Sequence, residues 1–429
     1  MKSYLPLTLL ITGLLLFGCT DTCETISSYT YYEPVYMSLE DLRQSVKMEA
    51  AKEITQSGKI YFINDHILIN EPNNGIHIIN NEDPKNPENL GFINIPGNFD
   101  LAAVDGYLYA DSYVDLVVFD ISDIANPKEI KRIEEIFPNY NTYGYYVSEE
   151  GIVTDWIETQ ETSQVSTECD GSDRMYYDWG YRWGGGIALD MAFAESSNTA
   201  GYASLSPGIG GSMAKFTISN NHLFMIDDWE MRIADLTTPS DPMLGSRVEI
   251  GWGIETVFPY DDMLFIGANN GMYIYDISSP LTPVQLSNYS HVNSCDPVVT
   301  DGKYAYVTLR SGNSCAGFNN QLEVVDIQDP TSPTLLATYP MYNPHGLSIS
   351  DNKLFICDGE AGLKIYNANN VQSIGDHLIK NYSDIHAYDV IVSDCQIMLI
   401  GDDGLRQYHC NDFEGDIIYL STIEFKKNI

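Results

Sequence analysis

The chain has 429 residues, 60 of them acidic and 22 basic, for a net charge of −38. A surface this acidic repels phosphate backbones and argues against a nucleic-acid partner, while 44% apolar and 12% aromatic residues are too many for a disordered chain. The same acidity opposes docking on anionic lipid and leaves Ca²⁺ as a conceivable ligand.

Lys2 supplies a short positive region, and Leu5 to Phe17 follows as a nearly continuous apolar run. The run is too short for a comfortable membrane span and has the length of a signal-peptide core. It ends in Leu16-Phe17-Gly18-Cys19, which resembles the bacterial lipobox. That resemblance implies cleavage before Cys19, a diacylglyceryl anchor on its thiol, palmitate in the mature lipoprotein, and a place in the cell envelope, at the outer membrane or cell surface. Residues 1–18 are then the signal peptide, and 19–51 a tether holding a short helix, with Ser38 as its expected N-cap.

From residue 52 to 425 the chain repeats itself. Five turns share one pattern, an Asp or Asn at the end of an apolar strand and a proline seven residues on: Asn80 to Pro87, Asp120 to Pro127, Asp235 to Pro242, Asp276 to Pro283 and Asp326 to Pro333. The strands before them read IHIIN, LVVFD, MRIAD, MYIYD and LEVVD, and each has another strand upstream, such as YLYAD or MLFIG. The carboxylate can bond its own turn backbone, and proline fixes φ and ends the strand. Two later units, KLFICDGEAGLKIYN and QIMLIGDDGLRQYH, keep the strands without the prolines. A unit of about 40 residues holds four strands, and such a sheet hides both faces only between neighbours, which radial repetition provides.

These units resemble the LVIVD repeat of secreted and surface bacterial proteins, and the resemblance implies a β-propeller. The predicted fold is all-β, a single propeller of about seven four-stranded blades, near 52–97, 99–137, 215–252, 254–291, 295–341, 345–383 and 386–425, with eight blades as the alternative. The ambiguity comes from residues 142–214, where the Asp120 and Asp235 turns stand 115 residues apart against 41 for the next pair.

With strands lettered A to D from the axis outward, the D–A and B–C connections share one face, here termed the mouth. The Pro-rich C–D turns lie opposite. Both blade counts attach the insertion to the mouth, and long loops on a rigid scaffold are where binding concentrates. Asp100, Glu255, Asp296, His345, His386 and Asp389 fall near the starts of A strands. Such a ring at the channel mouth could hold a divalent cation, Ca²⁺ foremost, or a polar ligand; alternatively it satisfies backbone donors of neighbouring blades. Within the insertion Tyr176, Tyr177, Trp179, Tyr181 and Trp183 form an aromatic cluster able to contact sugar or protein, or to plug the channel.

Eight cysteines leave seven beyond Cys19. The blade layout pairs Cys295 with Cys315 and Cys395 with Cys410, and makes Cys357 a buried thiol or a partner of Cys169. There is no Gly-x-Ser-x-Gly elbow, phosphate loop, His-Glu-x-x-His or Cys-x-x-Cys. The expected function is therefore a lipid-anchored binding or interaction module with a protein or carbohydrate partner. The alternatives are a Ca²⁺-dependent hydrolase or lactonase-like enzyme and a purely structural envelope protein.

Overall fold

The computed structural model describes residues 22–137, 141–142, 145–168, 207–290, 297–311, 319–410 and 416–426. Cys19, the Tyr176–Trp183 cluster, Cys295, Asp296 and Cys315 lie outside the described residues. The described chain is nearly all β; its repeat sheets are antiparallel four-strand meanders, the first widened to six strands by Ile209–Gly210 on its inner edge and Lys47–Glu49 on its outer edge. Seven follow the repeat: blade 1 at 60–94, blade 2 at 101–133, blade 3 at 216–249, blade 4 at 254–290, blade 5 at 298–340, blade 6 at 347–382 and blade 7 at 387–424. A further sheet joins Thr22–Met37 to Gly151–Glu168. Most of it belongs to a separate compact unit, residues 1–36 and 153–201, while the seven repeat sheets lie in the other, 37–152 and 202–429.

Each blade hides its apolar residues against the next. Separate clusters join blades 1 to 3, 3 to 4, 4 to 5, 5 to 6 and 6 to 7. The ring closes where Ile60, Ile67, Ile69 and Ile79 of blade 1 meet Ile391, Met398, Ile400 and Leu405 of blade 7. This explains why B and C strands read as unbroken apolar runs: both faces are covered, so period-two alternation gives way to continuous hydrophobicity. Closure also uses side chains. Gln407 donates to Asn81 Oδ1 at 2.6 Å and Ser421 to the Pro84 carbonyl at 2.6 Å.

The turn carboxylates act as expected. Asp120, Asp235, Asp276 and Asp326 each accept the backbone N–H two residues on, at 2.7–3.0 Å. Asn367 of blade 6 does the same at 2.9 Å, and a 3₁₀ turn at Val371–Asp376 replaces the missing prolines. In all seven blades the C–D ladder carries a bulge, which twists the outer strand. Blade 7 departs from the rule: Cys410 ends its C strand and is disulfide-bonded to Cys395 in the A–B turn, Cα to Cα 5.1 Å. Cys357 is a buried free thiol.

The helix Leu39–Ser45 begins at Ser38, whose Oγ accepts from the Asp41 N–H at 3.1 Å. Its Arg43 reaches Asp115 of blade 2 through Nε at 2.8 Å and Nη2 at 3.2 Å. Asp115 is fully buried and also accepts from Arg132 and the Glu135 N–H. Among the described residues no helix is long and apolar enough to cross a membrane.

The channel is occupied. The chain leaves blade 2 on the mouth face, where the Phe137 N–H bonds the Val114 carbonyl. It returns at Pro207 beside Val104, the last residue of an A strand and so at the opposite end of the channel. Ile209 and Gly210 then pair with Phe62 and Tyr61 as a fifth, innermost strand on blade 1, rising toward the mouth. Gly208 bonds Ala103, and Ala214 accepts from Val257. A side chain at Gly208 would collide with Tyr61 and Phe62, and one at Gly211 with Asp389, so only glycine fits this passage.

Candidate functional site at the channel mouth

A cavity of about 1680 Å³ opens on the mouth face. Its floor is built from residues at the start of A strands or the end of a B strand. Lys59 and Lys215 immediately precede the A strands of blades 1 and 3, Asp100 precedes that of blade 2, and Glu255 and Asp389 lie within those of blades 4 and 7. Arg310 follows the B strand of blade 5, and His345 comes two residues before blade 6. Around the ring the signs run plus, minus, plus, minus, plus, neutral, minus. Lys59, Asp100, Lys215, Arg310, His345 and Asp389 all line the cavity.

The carboxylates here are committed to the protein. Asp100 accepts the Lys215 N–H at 2.6 Å and the Leu101 N–H at 2.8 Å. Asp111 accepts the N–H groups of Phe99 and Asp100 at 2.8 and 2.9 Å. Asp389 takes the Ser212 hydroxyl at 3.1 Å and the Val390 N–H at 3.0 Å, wedged between Gly211 and Gly346. Burial still dominates: it pushes the Asp111 carboxyl up to about 7 and that of Asp389 to about 6, and raises Asp100 and Glu255. Lys59 donates to the Met213 carbonyl; burial lowers its pKa, opposed by Asp100 and Asp389. Burial and then the Arg310 charge hold His345 down at about 3, so the imidazole is neutral. Arg310 Nη1 lies 2.9 Å from its Nδ1.

Of the residues predicted at the mouth, the structure brings Asp100, His345 and Asp389 to the cavity wall and sets Glu255 within electrostatic reach of Lys215, Arg310 and Lys59. His386 turns instead to Asp402, Nδ1 to Oδ2 2.6 Å. Among the described residues no group of three or more His, Cys, Asp or Glu is placed to hold a metal. Lysine and arginine alternate with the carboxylates, and this donor set does not fit a Ca²⁺ cage, which needs six to eight converging oxygens. Sequence reasoning missed Lys59, Lys215 and Arg310. The signal was there for the lysines: Lys59, Asp100 and Lys215 hold one repeat position, the residue before strand A.

It also missed the rim. Trp229, in the B–C loop of blade 3, and Trp252, in the connection to blade 4, border the cavity and are 58% and 59% exposed. Asp227, Arg247 and Glu249 stand beside them.

With the fold and site described, comparison places them among known proteins. The LVIVD repeat profile matches residues 99–134, 257–291 and 294–340. The chain carries LVIVD repeats. No curated protein matches it in sequence. Among solved structures it is similar to the periplasmic gluconolactonase of Pseudomonas aeruginosa, with 10% identity, 86% of this chain and 97% of that one covered, and a TM-score of 0.53. A protein from Lactobacillus plantarum matches at 11% identity, 87% and 97% coverage and a TM-score of 0.51. BamB from Moraxella catarrhalis aligns over 89% and 97% at 6% identity and a TM-score of 0.48. At such identities the shared property is the fold, and the LVIVD chain is a β-propeller.

Proposed function

We propose that this LVIVD-repeat propeller is an exported, lipid-anchored binding module of the bacterial envelope that holds its ligand at the channel mouth. The observation that carries the reading is the cavity itself. Its floor sets Lys59, Lys215 and Arg310 beside Asp100 and Asp389 inside a chain of net charge −38. Side chains so partnered form a preorganised polar surface for a ligand that accepts and donates hydrogen bonds. The occupied channel confines that ligand to one face. The anchor rests on the apolar run ending in Gly18-Cys19.

Two measurements test it. Radiolabelled palmitate should enter the wild-type protein and not Cys19→Ser, and protease treatment of intact cells should report whether the propeller faces outward. Thermal shift against fractionated envelope extract should yield a fraction that raises the wild-type midpoint and not that of Arg310→Gln. If no fraction does so, the binding reading falls.

A lactonase-like reading has one specific support. Asp111 and Asp389 line the same cavity, and burial raises their carboxyls to about 7 and 6, toward the range general acid–base work uses at neutral pH. Glucono-1,5-lactone hydrolysis that is lost in Asp389→Asn would favour it over binding alone.

A further inference from the structure

Both exposed tryptophans are held rigidly. Asp227 accepts the N–H groups of Trp229 and Glu230, both at 2.8 Å, fixing the loop tip. The Trp229 carbonyl accepts from Ile250 and Gly251, both at 3.1 Å, so the two loops are tied together. Trp252 stands between two glycines at positive φ, Gly251 at +146° and Gly253 at +80°, and the Gly253 N–H bonds the Asp228 carbonyl at 2.9 Å. A Cβ at Gly253 would run into Asn269, so this backbone has no slack. Two large indoles are thus displayed to solvent on fastened backbone at the edge of a polar cavity. Aromatic side chains bordering a concave polar cavity are the usual lining of a ligand site.

We propose that Trp229 and Trp252 are stacking plates for a neutral carbohydrate whose hydroxyls reach the cavity floor; this rests on the binding reading above and names its ligand class. The indole face carries partial negative charge and attracts the slightly positive C–H face of a pyranose ring. Sugar hydroxyls both donate and accept, matching a floor on which Lys215 and Arg310 stand among Asp100 and Asp389. The charge of the rim selects against acidic glycans: Asp227, Asp228 and Glu249 outnumber Arg247 there, Arg247 is paired with Glu230, and Lys215 is engaged by Asp228 at 3.2 Å. A protein partner would meet a concave, hydrated floor rather than a flat apolar patch. Because the backbone that carries the plates is already fastened, little loop-ordering entropy opposes binding.

The test uses the full lipid-bearing protein in a detergent without a sugar headgroup. Calorimetric titration is run with cello-, malto- and chito-oligosaccharides, and with polygalacturonate as the anionic counterpart. The expected result is binding of at least one neutral series, weakened about tenfold or more in Trp229→Ala and in Trp252→Ala, a difference of about 1.4 kcal/mol. Raising NaCl to about 0.5 M should change it little, since no ion pair with the ligand is involved. Polygalacturonate should stay silent. Absence of binding by every neutral series at millimolar concentration overturns the proposal, as does binding that both tryptophan variants retain. Each variant changes an exposed side chain, so its thermal midpoint should match the wild type. If oligosaccharides fail but an envelope fraction still shifts the wild type and not Arg310→Gln, the binding reading stands without the carbohydrate. If both are silent, both fall.

Discussion

The two faces of the propeller use the same residue in opposite ways. At the C–D turns, Asp120 and Asp276 are only half-buried, bonded to nearby backbone and side-chain donors, and held below the ordinary carboxyl range by those bonds. At the mouth, Asp100, Asp111 and Asp389 also accept two or more hydrogen bonds, yet their carboxyls sit above that range because burial outweighs the donors. Hydrogen bonding is similar on both faces, and desolvation decides the sign. The turn carboxylates are cheap punctuation, repeated in blades 2 to 5. Those at the mouth carry a standing cost, which marks that face as the specialised one.

The largest effect belongs to the turn face of blade 7, where replacing Cys395 and Cys410 by serine should remove about 3 kcal/mol in urea unfolding, as expected for a loop of about 15 residues. Next is Gly346→Ala at the mouth, whose Cβ would meet the Asp389 carboxylate and backbone; a loss of about 2 kcal/mol is expected by the same method. A neutral effect would mean that Asp389 is less tightly cradled than described.

Asp389→Asn tests the desolvation argument through pH. The folded carboxyl, near 6, binds its proton more tightly than the unfolded one near 3.8. Wild-type stability from this group is therefore present below pH 4 and lost as pH rises through 6. The variant should match the wild type near pH 4 and exceed it above pH 7 by on the order of 2 kcal/mol. Taking the difference between the two proteins cancels the opposing contribution of His345, whose depressed pKa favours the fold as pH rises from 3 toward 6.5. The smallest effect is Asp276→Ala, which loses the bond to the Ser278 N–H and should lower the thermal midpoint by roughly 1 °C. For this group the sign reverses: its contribution is present above pH 4 and lost on acidification.

The ring was legible because its determinants are local. An Asp that bonds two residues ahead and a proline that stops a strand leave a spacing in the sequence, and continuous apolar strands follow from burial on both sides. Asp100, His345 and Asp389 could be placed at the mouth by register alone. The remainder of the site is set by three-dimensional company. Arg310 meets His345 from another blade, and Trp229 and Trp252 become neighbours through a carbonyl that joins two loops. The passage Pro207-Gly208-Ile209-Gly210-Gly211 reads as a flexible linker, and its glycines acquire meaning only when Tyr61 and Asp389 are seen to leave no room for a side chain.

That passage also constrains how the molecule is made. A segment departing from one face and coming back up the bore resembles a spindle with staves around it. Pulling a chain end through a finished hoop is an event proteins avoid. Here it is unnecessary: the spindle precedes blades 3 to 7 in the sequence and pairs with blade 1, so the later staves can be laid around a strand already in place. The finished hoop consequently carries one more strand along its bore than its seven repeats supply.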